Sequence, residues 1–106
     1  MGWLSFLKPA YQQISVKQLK EDYLSKKQGR IFIDVRTSNE FSRRSISGFR
    51  NVPLQTLPAQ ISRLPQDKEI IVICQSGMRS ASACKMLSKA GFSQVVNVRG
   101  GMNGWL

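Results

Sequence analysis

The sequence predicts an α/β domain, a mainly parallel sheet of about five strands with helices on both faces. Two segments carry much of that prediction: Ile31-Phe32-Ile33-Asp34-Val35 and Glu69-Ile70-Ile71-Val72-Ile73-Cys74 are short, almost unbroken apolar runs rich in β-branched residues. Strands covered on both faces read this way. Between and after them, apolar residues recur at helical spacing. The length of 106 residues suits one core, and 42% hydrophobic with 21% charged residues excludes disordered, collagen-like and disulfide-stapled chains.

No internal repeat, low-complexity tract or long linker interrupts the chain, so it divides into an apolar N-terminal tail, 1–13, and one domain, 14–106. The tail's apolar run from Met1 to Leu7 is cut by Lys8-Pro9, far short of a membrane span. It lacks the features of a signal peptide, and Phe6 stands where a myristoylation site needs Ser or Thr. The tail is expected to pack on the domain, with a weak membrane or partner contact as the alternative. Ile14 falls in a short first strand. Ser15 then caps a helix whose face is Val16, Leu19, Tyr23 and Leu24, running to Gln28-Gly29. Asp34 is the polar exception in the next strand. Ser38 with Asn39-Glu40-Phe41 reads as a capped helical turn, followed by the basic stretch Arg43-Arg44-Ser45-Ile46-Ser47-Gly48 and then Asn51-Val52-Pro53. Leu57, Ile61 and Leu64 give a brief helical face. The strand from Glu69 ends on Cys74. Ala83, Cys84, Met86, Leu87 and Ala90 mark a helix over 80–89, with Gly91 as its stop. Val95-Val96-Asn97-Val98 is a last strand, and Gly100-Gly101 turns the chain into a final helical piece.

Sixteen Lys and Arg against six Asp and Glu leave a net charge of +10. That charge draws anions or acidic surfaces, but it is scattered and no nucleic-acid motif accompanies it, so solvated basic surface is the expected reading. The chain has no histidine, which removes Ser-His-Asp and Cys-His catalysis together with the commonest metal ligand. Two cysteines, Cys74 and Cys84, are too few for a structural zinc site, so neither metal nor cofactor is expected.

Ligands of open parallel sheets bind beyond the strand carboxyl ends. Cys74 stands at such an end, and the segment Cys74-Gln75-Ser76-Gly77-Met78-Arg79-Ser80 joins its strand to a helix. Backbone N–H groups of a tight loop at a helix start form an anion cradle, and Arg79 adds a permanent charge. A cysteine among such donors is held as thiolate below the free-thiol value of about 8.5 and becomes a nucleophile without a general base. An inert cysteine closing a strand is the bland alternative. Cys84, on the helix after the loop, is expected to pack in the core.

These residues resemble the single-domain rhodanese-like proteins of the thiosulfate sulfurtransferase type. The likeness runs from Ile14 to Trp105: Ile33-Asp34-Val35-Arg36 with Glu40-Phe41, Gly48 with Asn51-Val52-Pro53, the loop from Cys74 to Ser80, and Val98-Arg99-Gly100-Gly101 with Gly104-Trp105. The resemblance implies a three-layer α/β/α fold and a two-step sulfur transfer. Cys74 would take sulfane sulfur from thiosulfate or a persulfide donor and pass it from a persulfide to a thiol or cyanide. Gln75, Ser76, Gly77, Met78 and Ser80 would form the binding loop, with Arg79 as charge partner. Asp34, Arg36 and Glu40 match positions of structural charge pairs beneath the site. Many relatives read Gly-His-Ile-x-Gly-Ala where this chain has Arg44-Ser45-Ile46-Ser47-Gly48-Phe49. The missing histidine leaves Arg44 and Arg50 as candidates for the mouth, where they would favour anionic donors, with a solvated basic face as the preferred reading.

Three alternatives stand beside this reading: a sulfur relay fed by another protein's persulfide, a low-turnover module docking an acidic partner, and a cysteine phosphatase or arsenate reductase. The phosphatase pattern places five residues between Cys and Arg; here Gln75, Ser76, Gly77 and Met78 intervene. A free reactive thiol suits a reducing cytoplasm.

Overall fold

The computed structural model describes residues 10–105; the N-terminal run Met1 to Leu7 lies outside them. Strand β1 (Gln12–Ile14) is followed by a short helix α1 (Val16–Gln18) that continues as a π-helical turn, Leu19–Tyr23. Then come β2 (Arg30–Asp34), α2 (Ser38–Arg43) and the two-residue β3 (Arg50–Asn51). A helical stretch follows, α3 (Leu57–Gln60) between the 3-10 turns Leu54–Thr56 and Ile61–Arg63. Strand β4 (Glu69–Ile73), helix α4 (Met78–Lys89), strand β5 (Val95–Val98) and a 3-10 turn, Gly101–Gly104, complete the domain.

The five strands form one sheet in the order β1-β5-β4-β2-β3, and every neighbouring pair is parallel. The sheet is therefore wholly parallel, and all strand carboxyl ends lie along one edge. The register sets what meets there: Asp34 lies level with Ile73 on one side and with Asn51 on the other. Residues just beyond them, Arg36 and Cys74, emerge together where ligands of such sheets bind.

Strand side chains alternate between faces, and the core splits accordingly. Ile31, Ile33, Val35, Ile70, Val72 and Cys74 pack with Ala83, Cys84 and Leu87 of α4 and with Leu57 and Leu64. Phe32, Ile71, Ile73, Val96 and Val98 pack on the opposite face with Leu19, Ile46, Phe49 and Met102. Phe32 and Phe49 meet edge to face at 5.3 Å. This is the expected three-layer arrangement.

Three boundaries differ from the sequence reading. The first helix stops at Tyr23, not at Gln28: the Arg30 guanidinium donates to the carbonyls of Asp22 and Lys26 and stacks on the Tyr23 ring, closing the chain into a turn. Thr37, one residue before Ser38, caps α2 in a reciprocal box with Glu40. Helix α4 begins at Met78, two residues earlier than Ser80, because Gly77 adopts φ +104° and lets the loop turn directly into the helix. Among the described residues no helix is long and apolar enough to cross a membrane.

Candidate active site

Cys74 follows the last residue of β4, and strand alternation turns its side chain toward α4, where it is buried. Its Sγ accepts the Gly77 N–H at 3.0 Å and lies 3.3 Å from the Ser80 hydroxyl, itself fully buried. Burial alone pushes a thiol's pKa up. Here that effect is outweighed by the Ser80 hydroxyl and the backbone N–H groups of Ser80, Gly77 and Ser76, so the Cys74 thiol ionises below its ordinary value.

The donors are aimed from behind. Met102 N–H donates to the Cys74 carbonyl and Asn103 N–H to the Gln75 carbonyl, both at 2.9 Å. In a trans peptide the N–H points opposite to the C=O, so anchoring the Gln75 carbonyl directs the Ser76 N–H the other way, toward sulfur. The turn Gly101–Gly104 thus sets the cradle. Gly101 makes this close approach possible: a Cβ there would overlap the Cys74 carbonyl oxygen and lie 2.9 Å from the Gln75 carbonyl carbon. Asn97, buried on β5, adds a contact from its amide to the Gly77 carbonyl at 3.4 Å.

Arg79 sits in the first turn of α4 without a hydrogen bond to sulfur. Its guanidinium grips the Glu40 carboxylate as a fork, at 2.8 and 3.0 Å. That fork and the Thr37 N–H hold the Glu40 carboxyl down at about 2. Contact with Glu40 raises the Arg79 pKa, with a smaller contribution from the charge of Cys74. Asp34 and Arg36 form a second, buried pair, with Nη2–Oδ2 at 2.7 Å. Arg36 also donates to the Arg44 carbonyl at 2.6 Å and, at 3.4 Å, to the Gln75 side chain. It ties the end of β2, the exit of α2 and the loop together.

Two clefts flank this edge of the sheet. One, of about 260 Å³, is lined by Arg36, Glu40, Arg43, Arg44, Gln75 and Met102. The other, of about 200 Å³, is lined by Val35, Thr37, Pro53, Leu54, Gln55 and Arg79. Of the sequence-predicted residues, Cys74, Ser80 and the backbone of Ser76 and Gly77 converge on the sulfur; Gln75 walls the first cleft, and the Met78 side chain points to solvent. Arg44 lines that cleft and donates to the Trp105 carbonyl. Arg50 does not reach it; its place on edge strand β3 puts it in clefts with Lys27 and Phe49 on one side and Arg63 on the other. Cys84 is buried, and burial, with the charge of Cys74 adding to it, pushes its thiol up to about 12.

Residues 15–106 match the family model of the Rhodanese-like domain. The chain belongs to the rhodanese family. This rhodanese domain is 37% identical over 94 residues to the putative sulfurtransferase YtwF of Bacillus subtilis, covering 89% of each chain. It is 27% identical over 96 residues to the thiosulfate sulfurtransferase GlpE of Shewanella oneidensis, covering 91% of this chain and 93% of that one. A crystal structure of a rhodanese-like domain protein from Staphylococcus aureus superposes with a TM-score of 0.80 at 28% identity, covering 90% and 91% of the two chains. Sequence reasoning missed the roles of Met102 and Asn103 in this rhodanese site. The only signal for them was the doubled glycine, whose second member must lie against the loop.

Proposed function

We propose that this rhodanese domain is a sulfurtransferase that carries sulfane sulfur on Cys74. The observation that supports it most is the buried Cys74 sulfur surrounded by the Gly77 N–H and the Ser80 hydroxyl, with its thiol held below the ordinary range. In the first step the Cys74 thiolate attacks the outer sulfur of thiosulfate. The S–S bond of the donor breaks and sulfite leaves with the bonding pair. The result is a Cys74 persulfide anion, whose single negative charge the same donors stabilise without reorganising. In the second step a thiolate or cyanide attacks the outer sulfur, the Cys74 S–S bond breaks, and the Cys74 thiolate returns. A persulfide of another protein serves equally as donor in the first step.

The loop geometry favours this over phosphate ester hydrolysis. Only Gln75, Ser76 and Gly77 separate Cys74 from the start of α4, and their donors close on one sulfur. Neither Cys74 nor Cys84 is in a disulfide, and a nucleophilic free thiol works in a reducing compartment, so a cytoplasmic location is part of the proposal. Intact-mass measurement after incubation with thiosulfate tests the reading. One sulfur atom is expected on the wild type and none on Cys74→Ser. A wild type that stays unloaded, or a variant that loads equally, refutes it.

A further inference from the structure

The two clefts beside the loop differ in charge. In the cleft of Val35, Leu54 and Arg79, the one cation is neutralised by Glu40. In the cleft of Arg43, Arg44 and Gln75, Glu40 is neutralised by Arg79 and Arg36 by Asp34. Arg43 and Arg44 remain: both are exposed, neither forms an ion pair among the described residues, and the one hydrogen bond of the Arg44 guanidinium goes to a neutral carbonyl. Among the described residues the cleft therefore carries two cations without an acidic partner. It also adjoins the loop, since Gln75, one of its walls, follows Cys74 in the chain.

In thiosulfate the anionic oxygens are only two bonds from the transferred sulfur, so they stay close to the loop. A charge set in a lateral cleft meets a group several atoms farther out. At about 260 Å³ the cleft is at the small end for a ligand site. Building on the sulfur-transfer reading, we infer that Arg43 and Arg44 form a subsite for the carboxylate of the sulfur acceptor, making small thiols that carry a carboxylate the preferred acceptors. The thiolate of such an acceptor attacks the outer sulfur of the Cys74 persulfide. The bond between that sulfur and Cys74 Sγ breaks, Sγ leaves as thiolate, and the acceptor departs as a persulfide. The carboxylate stays on the arginines throughout.

The test uses the full chain loaded with thiosulfate and isolated as the persulfide, then discharged by 3-mercaptopropionate, 2-mercaptoethanol or cysteamine. These thiols are of similar size and end in a carboxylate, a hydroxyl and an ammonium. With rates expressed per thiolate, 3-mercaptopropionate should be about three- to tenfold faster than 2-mercaptoethanol, as two exposed charge contacts allow, and cysteamine slowest. The ratio should shrink as salt is raised. Arg43→Gln should collapse it, and Arg43→Lys should retain most of it. A wild-type persulfide that the three thiols discharge equally overturns the inference while leaving sulfur transfer standing. A loss in Arg43→Gln confined to thiosulfate loading also overturns it, by assigning the cleft to the donor. A wild type that never forms the persulfide defeats both readings.

Discussion

Replacing Ser80 by alanine removes one donor to the Cys74 sulfur and little else. The hydroxyl lies 3.3 Å from Sγ, it is buried, and it is the largest of the contributions that pull the thiol down. A hydrogen bond to a charged group contributes about 1.5–3 kcal/mol. A sulfur acceptor at this distance belongs at the lower end, and one pKa unit corresponds to about 1.4 kcal/mol. The Cys74 pKa should therefore rise by about one unit in Ser80→Ala. Folding should be nearly unaffected, since alanine is the better helix former and the Gly77 N–H still meets the sulfur. Ser76→Ala is the matched control, because Ser76 acts through its backbone. Thiolate absorbance and iodoacetamide alkylation, each followed against pH, read the shift directly. Cys84, at about 12, does not titrate in the same window. With no histidine in the chain, the wild-type curve should be a single ionisation. An unchanged pKa in Ser80→Ala, or an equal shift in Ser76→Ala, would refute the account of how the thiolate is held.

Gly101→Ala should cost well over 1 kcal/mol in urea unfolding and slow persulfide loading, because the new Cβ overlaps the Cys74 carbonyl; Gly100→Ala, with a similar positive φ but open space around it, should cost only about 1 kcal/mol. Arg36→Met should destabilise by about 3–5 kcal/mol in the same assay by leaving the Asp34 carboxylate buried without its partner. The folded-state pKa of Glu40 is depressed to about 2, so its pair with Arg79 stabilises the fold fully above the ordinary value of 4.5, and this contribution fades as pH falls toward 2. The pair is partly solvent-exposed, so Glu40→Gln should lose no more than about 1 kcal/mol at pH 7, and the difference from wild type should vanish below pH 2 in thermal unfolding.

The strands were legible because a parallel sheet buried on both faces leaves continuous apolar runs, and β2 and β4 fall within a residue of where those runs lie. The place of Cys74 at a strand's carboxyl end was legible for the same reason, since it ends one of those runs. The resemblance gave Asp34, Arg36 and Glu40 as members of charge pairs, but the partner of Arg79 was not legible. Arg79 reads from sequence as the thiolate's counter-ion, yet thirty-nine residues of chain separate it from Glu40, which holds it. Contacts of that range follow from strand order, and strand order is not written in any local pattern. Arg50 is similar: the missing histidine makes it a candidate for the mouth, but pairing with Ile33 puts it on the edge strand. The early end of the first helix escaped notice because Val16, Leu19, Tyr23 and Leu24 keep helical spacing through a π turn; of the residues from Val16 to Tyr23 only Leu19 is buried.

The pairing of charges explains how a site without imidazole can hold an anion. Asp34 is paired with Arg36 and Glu40 with Arg79, and neither arginine donates a hydrogen bond to the sulfur. What remains is a set of oriented donors: backbone N–H groups that do not titrate and a hydroxyl that ionises far above neutral pH. Fixed dipoles of this kind favour negative charge at one place whatever species carries it. Thiolate and persulfide anion each bear one such charge, so the cradle favours both ends of the proposed loading step without moving. The scaffold that aims these dipoles, Gly101 against the Cys74 carbonyl and the Met102 and Asn103 N–H groups behind the loop, is then as much a part of the chemistry as the sulfur. A histidine would add a proton acceptor that titrates near neutrality, and the chain has none.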